Sequence, residues 1–148
     1  MRMPLRSRKL LFVIFVLAAI AYTSVGCSEP STGDLSLFPA ERLPAEVQSA
    51  PATVRQAYQF AAANPDVMQH IPCYCGCGAI GHASNYACYI SGVDDAGNVT
   101  FDNHALGCSI CVDITQDAMR LVQEGKSVEE IKAFVDEKYA QYGPSNKP

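Results

Sequence analysis

Six cysteines and three histidines fall within the 42 residues from 70 to 111: Cys73, Cys75, Cys77, Cys88, Cys108 and Cys111, with His70, His82 and His104. Residues 112–148 contain neither residue type. This crowding constrains the fold more than any apolar pattern does. Three arrangements use such a set: a metal site, a redox-active thiol pair, or structural disulfides.

Two spacings carry geometry. In "PCYCGCG", residues 72–78, the cysteines occupy every second position. An extended strand would put all three sulfurs on one side, with neighbouring α-carbons roughly 6.6 Å apart. The interleaved glycine lets the loop curl, so the sulfurs can converge on one ion. Downstream, His104, Cys108 and Cys111 stand at i, i+4 and i+7, which share a face on a helix. Gly107 interrupts that helix. Cys108-x2-Cys111 ahead of a helix is a chelating pair and equally a redox pair, because a helix amino end lowers a thiol pKa.

Ligand softness favours the metal reading. Three or more thiolates with an imidazole select a soft ion, copper(I) first and zinc(II) next. Cys73, Cys75, Cys77, Cys108 and Cys111 are the expected core ligands, and Cys88, His82 and His104 complete the set. His70, in the segment before Pro72, is a weaker candidate. The exchange reading needs only Cys108, Cys111 and a partner thiol protein. The structural reading needs three bridges among six cysteines, which an oxidising compartment would permit. Bridges between Cys73, Cys75 and Cys77 would be strained. Cys–His hydrolysis is disfavoured, because it uses one activated thiol rather than six. The residues therefore describe a binding domain more readily than an enzyme.

The amino terminus places the chain. Arg2, Arg6, Arg8 and Lys9 precede a twelve-residue apolar run, Leu10 to Ala21. A membrane span needs about 20 residues, so the run suits a signal peptide over residues 1–26. "TSVGC", residues 23–27, has the small residues of a lipobox, with Ser24 where leucine is usual. Lipid on Cys27 would hold an exported domain at the extracytoplasmic face of a bacterial membrane. Removing residues 1–26 takes away four positive charges and no negative ones, so the formal net charge goes from −4 to −8. That balance disfavours nucleic acid as a partner and suits cations.

Residues 27–50, rich in Ser, Pro, Ala and Glu, are expected as a lipid-anchored flexible tether. The domain spans 51–142 and a polar tail 143–148. "PATVRQAYQFAAAN" predicts a helix burying Val54, Ala57, Tyr58 and Ala61. "NPDVMQHI" predicts a short second helix with Pro65 in its first turn. Tyr86 to Ser91 and Val99 to Asp102 predict a β-hairpin around the turn "VDDAGN". Asp94, Asp95 and Asn98 lack the spacing of a calcium loop. After Cys111, a helix burying Ile114, Ala118, Leu121 and Val122 stops at Gly125. A last helix opens on the capping box Ser127–Glu130 and buries Val128, Ile131, Phe134, Val135 and Tyr139. The expected fold is mainly α: a small helical bundle with a short β-hairpin and a Cys/His-rich loop region.

"IPCYCGCG", "GHASNYAC" and "DNHALGCSIC" together resemble the bacterial PCYCGC-motif proteins, over residues 46–142. The resemblance implies an exported, often lipid-anchored domain with clustered Cys and His; it supplies no reaction. "EGKSVEEIKAFVDEKYAQYG", residues 124–143, resembles the closing helical hairpin of the cytochrome c maturation thiol-reductase subunits. That likeness implies helical architecture and exchange at Cys108/Cys111, although Gly107 stands where those subunits carry a basic residue.

Overall fold

The computed structural model describes residues 35–147. The expected signal peptide and Cys27 lie outside them. No described helix is long and apolar enough to cross a membrane. Among the described residues, five α-helices and one hairpin follow in chain order: α1 Ala45–Gln48, α2 Ala52–Ala63, α3 Pro65–Met68, β1 Ile90–Val93, β2 Val99–Phe101, α4 Ser109–Gln123 and α5 Val128–Tyr139. The fold is the α-rich bundle with a β-hairpin that the sequence predicts.

Helix α4 is the centre, packing against both α2 and α5. Its period-3.6 stripe buries Ile114, Ala118 and Leu121, while Val122 is only half-buried. From α2 come Ala57, Tyr58, Phe60 and Ala61; from α5, Ile131, Val135 and Tyr139. Val128 and Phe134 lie at the edge of the α5 stripe, where Arg120 covers the Phe134 ring at 5.3 Å. Gly125, at φ +73°, ends α4, and Lys126 N donates back to the Leu121 carbonyl at 3.0 Å. The capping box at Ser127 and Glu130 starts α5.

Asp117 joins the last two helices. It accepts from Lys138 Nζ at 2.5 Å and Tyr139 Oη at 2.7 Å, both on α5. Burial alone would raise its carboxyl; hydrogen bonds from Lys138, Tyr139 and Arg120 outweigh that and hold it below its ordinary value. A depressed folded-state pKa stabilises above the unfolded value of about 3.9 and loses that contribution as pH falls below it. Asp117→Asn should therefore cost about 1–2 kcal/mol at neutral pH and nearly nothing at pH 2, read from urea unfolding.

Three local expectations need correction. The stretch 35–50 is not all tether. Leu43 and Val47 are buried in the core. Phe38 N donates to the Gln59 carbonyl at 3.0 Å, and Asn64 Nδ2 reaches the Ser36 carbonyl at 2.8 Å. Prolines break this stretch into one-turn pieces, which leaves no periodicity to read. The first strand begins at Ile90, because Tyr86–Cys88 forms a 3-10 turn. Buried Asn85 commits its backbone N–H to the Ile71 carbonyl at 2.8 Å and draws the chain away from the sheet. The tail, finally, docks onto the cysteine loop, as described below.

The hairpin turn engages both carboxylate oxygens of Asp94. Asp94 Oδ1 accepts from the backbone of Ala96 and Asn98, and Oδ2 from the Asn98 side chain at 2.8 Å. Gly97, at φ +82°, closes the turn.

Candidate metal centre

The eight expected Cys/His ligands converge from three segments. Residues 73–77 form a curled loop, not a strand. Gly76 takes φ +85°, the left-handed region that glycine enters freely, and a 3-10 turn over Cys77–Ile80 follows. His82 and Cys88 come from the next loop. His104 opens a one-turn 3-10 segment, Gly107 breaks it, and Cys108 is the residue before α4. Helix α4 begins at Ser109, so Cys111 sits inside its first turn.

Two sets of four donors result. Cys75, His104, Cys108 and Cys111 form one; Cys77, His82, Cys88 and His104 form the other, and within each set the ligand atoms lie within 4.8 Å of one another. In the first set Cys111 Sγ is 3.1 Å from Cys108 Sγ and 3.6 Å from Cys75 Sγ, and Cys75 Sγ is 3.5 Å from His104 Nε2. In the second, Cys77 and Cys88 sulfurs are 3.6 Å apart. A tetrahedral ion with metal–sulfur bonds near 2.3 Å has sulfur–sulfur edges of about 3.8 Å. The edges here, 3.1 to 3.6 Å, are shorter, so a small spreading of the sulfurs would seat an ion. The six described cysteines are free thiols, and the alternative of three bridges is not seen among them. His70 is exposed and belongs to neither set.

The site's electrostatics follow from sulfur crowding. A hydrogen bond with Cys111 holds the Cys73 thiol far below its ordinary range, while the same contact pushes Cys111 up. Burial pushes Cys75 and Cys77 up. One negative sulfur is tolerated and further ones are opposed, unless a cation joins them.

Supporting groups orient the donors. His82 Nδ1 is buried with no hydrogen-bond partner, and its Nε2 lies 3.7 Å from Asp102 Oδ2. A carboxylate behind one ring nitrogen favours a proton there and leaves the lone pair of the other for a metal. Asp102 Oδ1 also accepts from His104 N at 2.7 Å, so one carboxylate serves both histidine loops. Asp102→Asn retains that acceptor but loses the charge. It should weaken zinc binding about 10–100-fold in chelator competition while the melting temperature of the metal-free protein barely moves.

Cys111 is held from behind. Its carbonyl accepts from Tyr89 Oη at 2.8 Å, Thr115 Oγ1 at 3.1 Å and Asn85 Nδ2 at 3.3 Å, all from buried side chains. Sequence spacing does not reveal this network, because Tyr89 and Asn85 look like ordinary hairpin residues. Asn146 was hidden too. Its Oδ1 accepts from Cys73 N at 2.6 Å, its backbone N–H donates to the Cys73 carbonyl at 3.0 Å, and its Nδ2 donates to the His82 carbonyl at 2.9 Å and reaches Cys77 Sγ at 3.4 Å. Gly143 lets the chain pass close to Tyr74, since a β-carbon there would stand 2.9 Å from the Tyr74 carbonyl oxygen. The polar tail is thus a clasp on the ligand loop.

The family model described as a protein of unknown function with a PCYCGC motif matches residues 17–148. The chain belongs to the PCYCGC-motif family. No curated protein and no solved structure matches it. In this PCYCGC protein the motif's three cysteines are divided between tasks: Cys75 enters the first donor set, Cys77 the second, and Cys73 neither. The motif's tyrosine, Tyr74, turns away from the sulfurs and donates to Asp136 Oδ1 at 2.6 Å, fixing the loop to α5.

Proposed function

We propose that this protein is an exported lipoprotein, anchored through Cys27, whose PCYCGC domain binds a soft metal ion at the extracytoplasmic face of a bacterial membrane. Copper(I) is the preferred ion and zinc(II) the next. Its task is to buffer the ion or pass it to a receiving protein. One observation carries the reading: the donor atoms of Cys75, Cys108, Cys111 and His104, from two segments of the chain, lie within 4.8 Å of one another. Such a donor set selects soft ions over calcium or magnesium. The half-buried sulfurs of Cys75 and Cys108 give a partner a route to the ion.

The test is Cys75→Ser/Cys77→Ser in protein loaded anaerobically with zinc or copper(I). Metal per chain should fall while the helical circular-dichroism signal persists. Equal metal content in variant and parent would reject the reading. The parent should also need detergent, not salt, for release from membranes, and Cys27→Ala should free it.

The 3.1 Å approach of Cys108 and Cys111 favours thiol–disulfide exchange as a second reading. There the pair would give two electrons and two protons to a partner disulfide and close its own S–S bond. A single labile bridge at these two residues, without metal, would select it.

A further inference from the structure

A single soft ion takes four ligands, yet eight donors gather here. The two sets share only His104. Its Nε2 faces Cys75, which places it with the first set at 3.5 Å. The second set then keeps three donors, Cys77, His82 and Cys88, and needs a fourth.

Cys73 supplies it. Its sulfur belongs to neither four-donor set, but it lies within 4.8 Å of Cys77 and Cys88 on one side and of Cys75 and Cys111 on the other. The distances to Cys75 Sγ and Cys111 Sγ are both 3.4 Å. Cys73 is fully buried, and its backbone is pinned on both sides by Asn146. A thiolate has lone pairs for two metals, and a sulfur held between two tetrahedra is positioned to bridge them. The unpartnered Nδ1 of His82 independently marks the second site as built for a ligand.

We infer that the domain holds two soft ions side by side, with the Cys73 thiolate shared between them. This rests on the metal-binding function proposed above and adds its stoichiometry and its bridge. The first ion is held by Cys75, Cys108, Cys111 and His104. The second is held by Cys77, Cys88, His82 and Cys73, and Cys73 also leans on the first. Sharing a thiolate places the six sulfur charges around two cations, and the first site, with its four donors complete, fills before the second.

The full-length protein, purified in detergent, is titrated with zinc(II) and separately with cobalt(II). Native mass spectrometry should show two zinc ions per chain, falling to one in Cys77→Ser/Cys88→Ser. With cobalt, the bridging thiolate should couple the two spins, so the paramagnetic signal per cobalt falls at the second equivalent. Cys73→Ala should abolish that fall, either by uncoupling the ions or by losing the second. One zinc ion at saturation, unchanged by Cys77→Ser/Cys88→Ser, overturns the two-ion site but leaves the metal-binding function standing. Two cobalt ions with independent spins overturn the bridge. No bound metal removes the function itself. The stoichiometry and spin measurements on the unmodified protein decide the matter even where a variant fails to fold.

Discussion

Cys111→Ser should weaken zinc or copper(I) binding by more than about 100-fold, the upper end of what losing an orienting group behind a ligand costs. Cys111 is the donor whose position the fold determines most completely. It is fully buried, its carbonyl is gripped by Tyr89, Thr115 and Asn85, and its sulfur lies within 3.6 Å of Cys73, Cys75 and Cys108. Serine keeps the shape but offers a hard, weakly acidic oxygen where a soft thiolate is required. The shorter hydroxyl reaches the sulfurs of Cys73, Cys75 and Cys108 less well than a thiol does, so the variant should melt lower yet still fold. Cys108→Ser, at a half-buried position, should lose comparable affinity with a smaller stability cost. A chelator competition that returns the parent affinity for Cys111→Ser would remove this residue from the ligand set.

Metal should also stabilise the fold strongly. Thiols from residues 73–77, 88 and 108–111 meet only when the chain is folded, so an ion bound there acts against unfolding. With free zinc at a thousand times its dissociation constant, the gain is about 4 kcal/mol. For a domain of this size, that is roughly 10–25 °C in melting temperature. A chelator should reverse it. Because thiols must lose protons to ligate, the shift should shrink as pH falls. Thermal scans at several zinc concentrations measure it; a melting temperature indifferent to zinc and chelator contradicts the account.

Much of this was readable in the chain, and the exceptions share a cause. Helices α2, α4 and α5 announce themselves by periodicity and by Gly125, Ser127 and Glu130, all local signals. The curl at Cys75–Gly76–Cys77 followed from the glycine, and the break before α4 from Gly107. Spacing also singled out the cysteines and histidines that the fold gathers. How the donors partition it did not show. Spacing put Cys73, Cys75 and Cys77 together, and the fold keeps them so; it also brings Cys75 to Cys108 and Cys111, and Cys77 to Cys88 and His82. That partition depends on contacts between residues about 10 to 40 positions apart, which no local pattern encodes. Asn146 is the extreme case: it meets Cys73 across 73 residues from within a stretch that reads as solvated tail. The buried Leu43 and Val47 escaped for a different reason, since one-turn helices between prolines show no period. Only the fold shows Asp102 serving His82 and the His104 backbone together.

The account stands on reduced sulfur gathered around metal. The most direct check is to purify the protein without oxygen or chelator and compare its native and denatured masses. The account predicts a native mass in excess by bound metal and a denatured mass with every thiol of residues 73–111 still carrying its hydrogen. A native mass without excess, together with a denatured chain lighter by six hydrogens, would show three disulfides instead and contradict it.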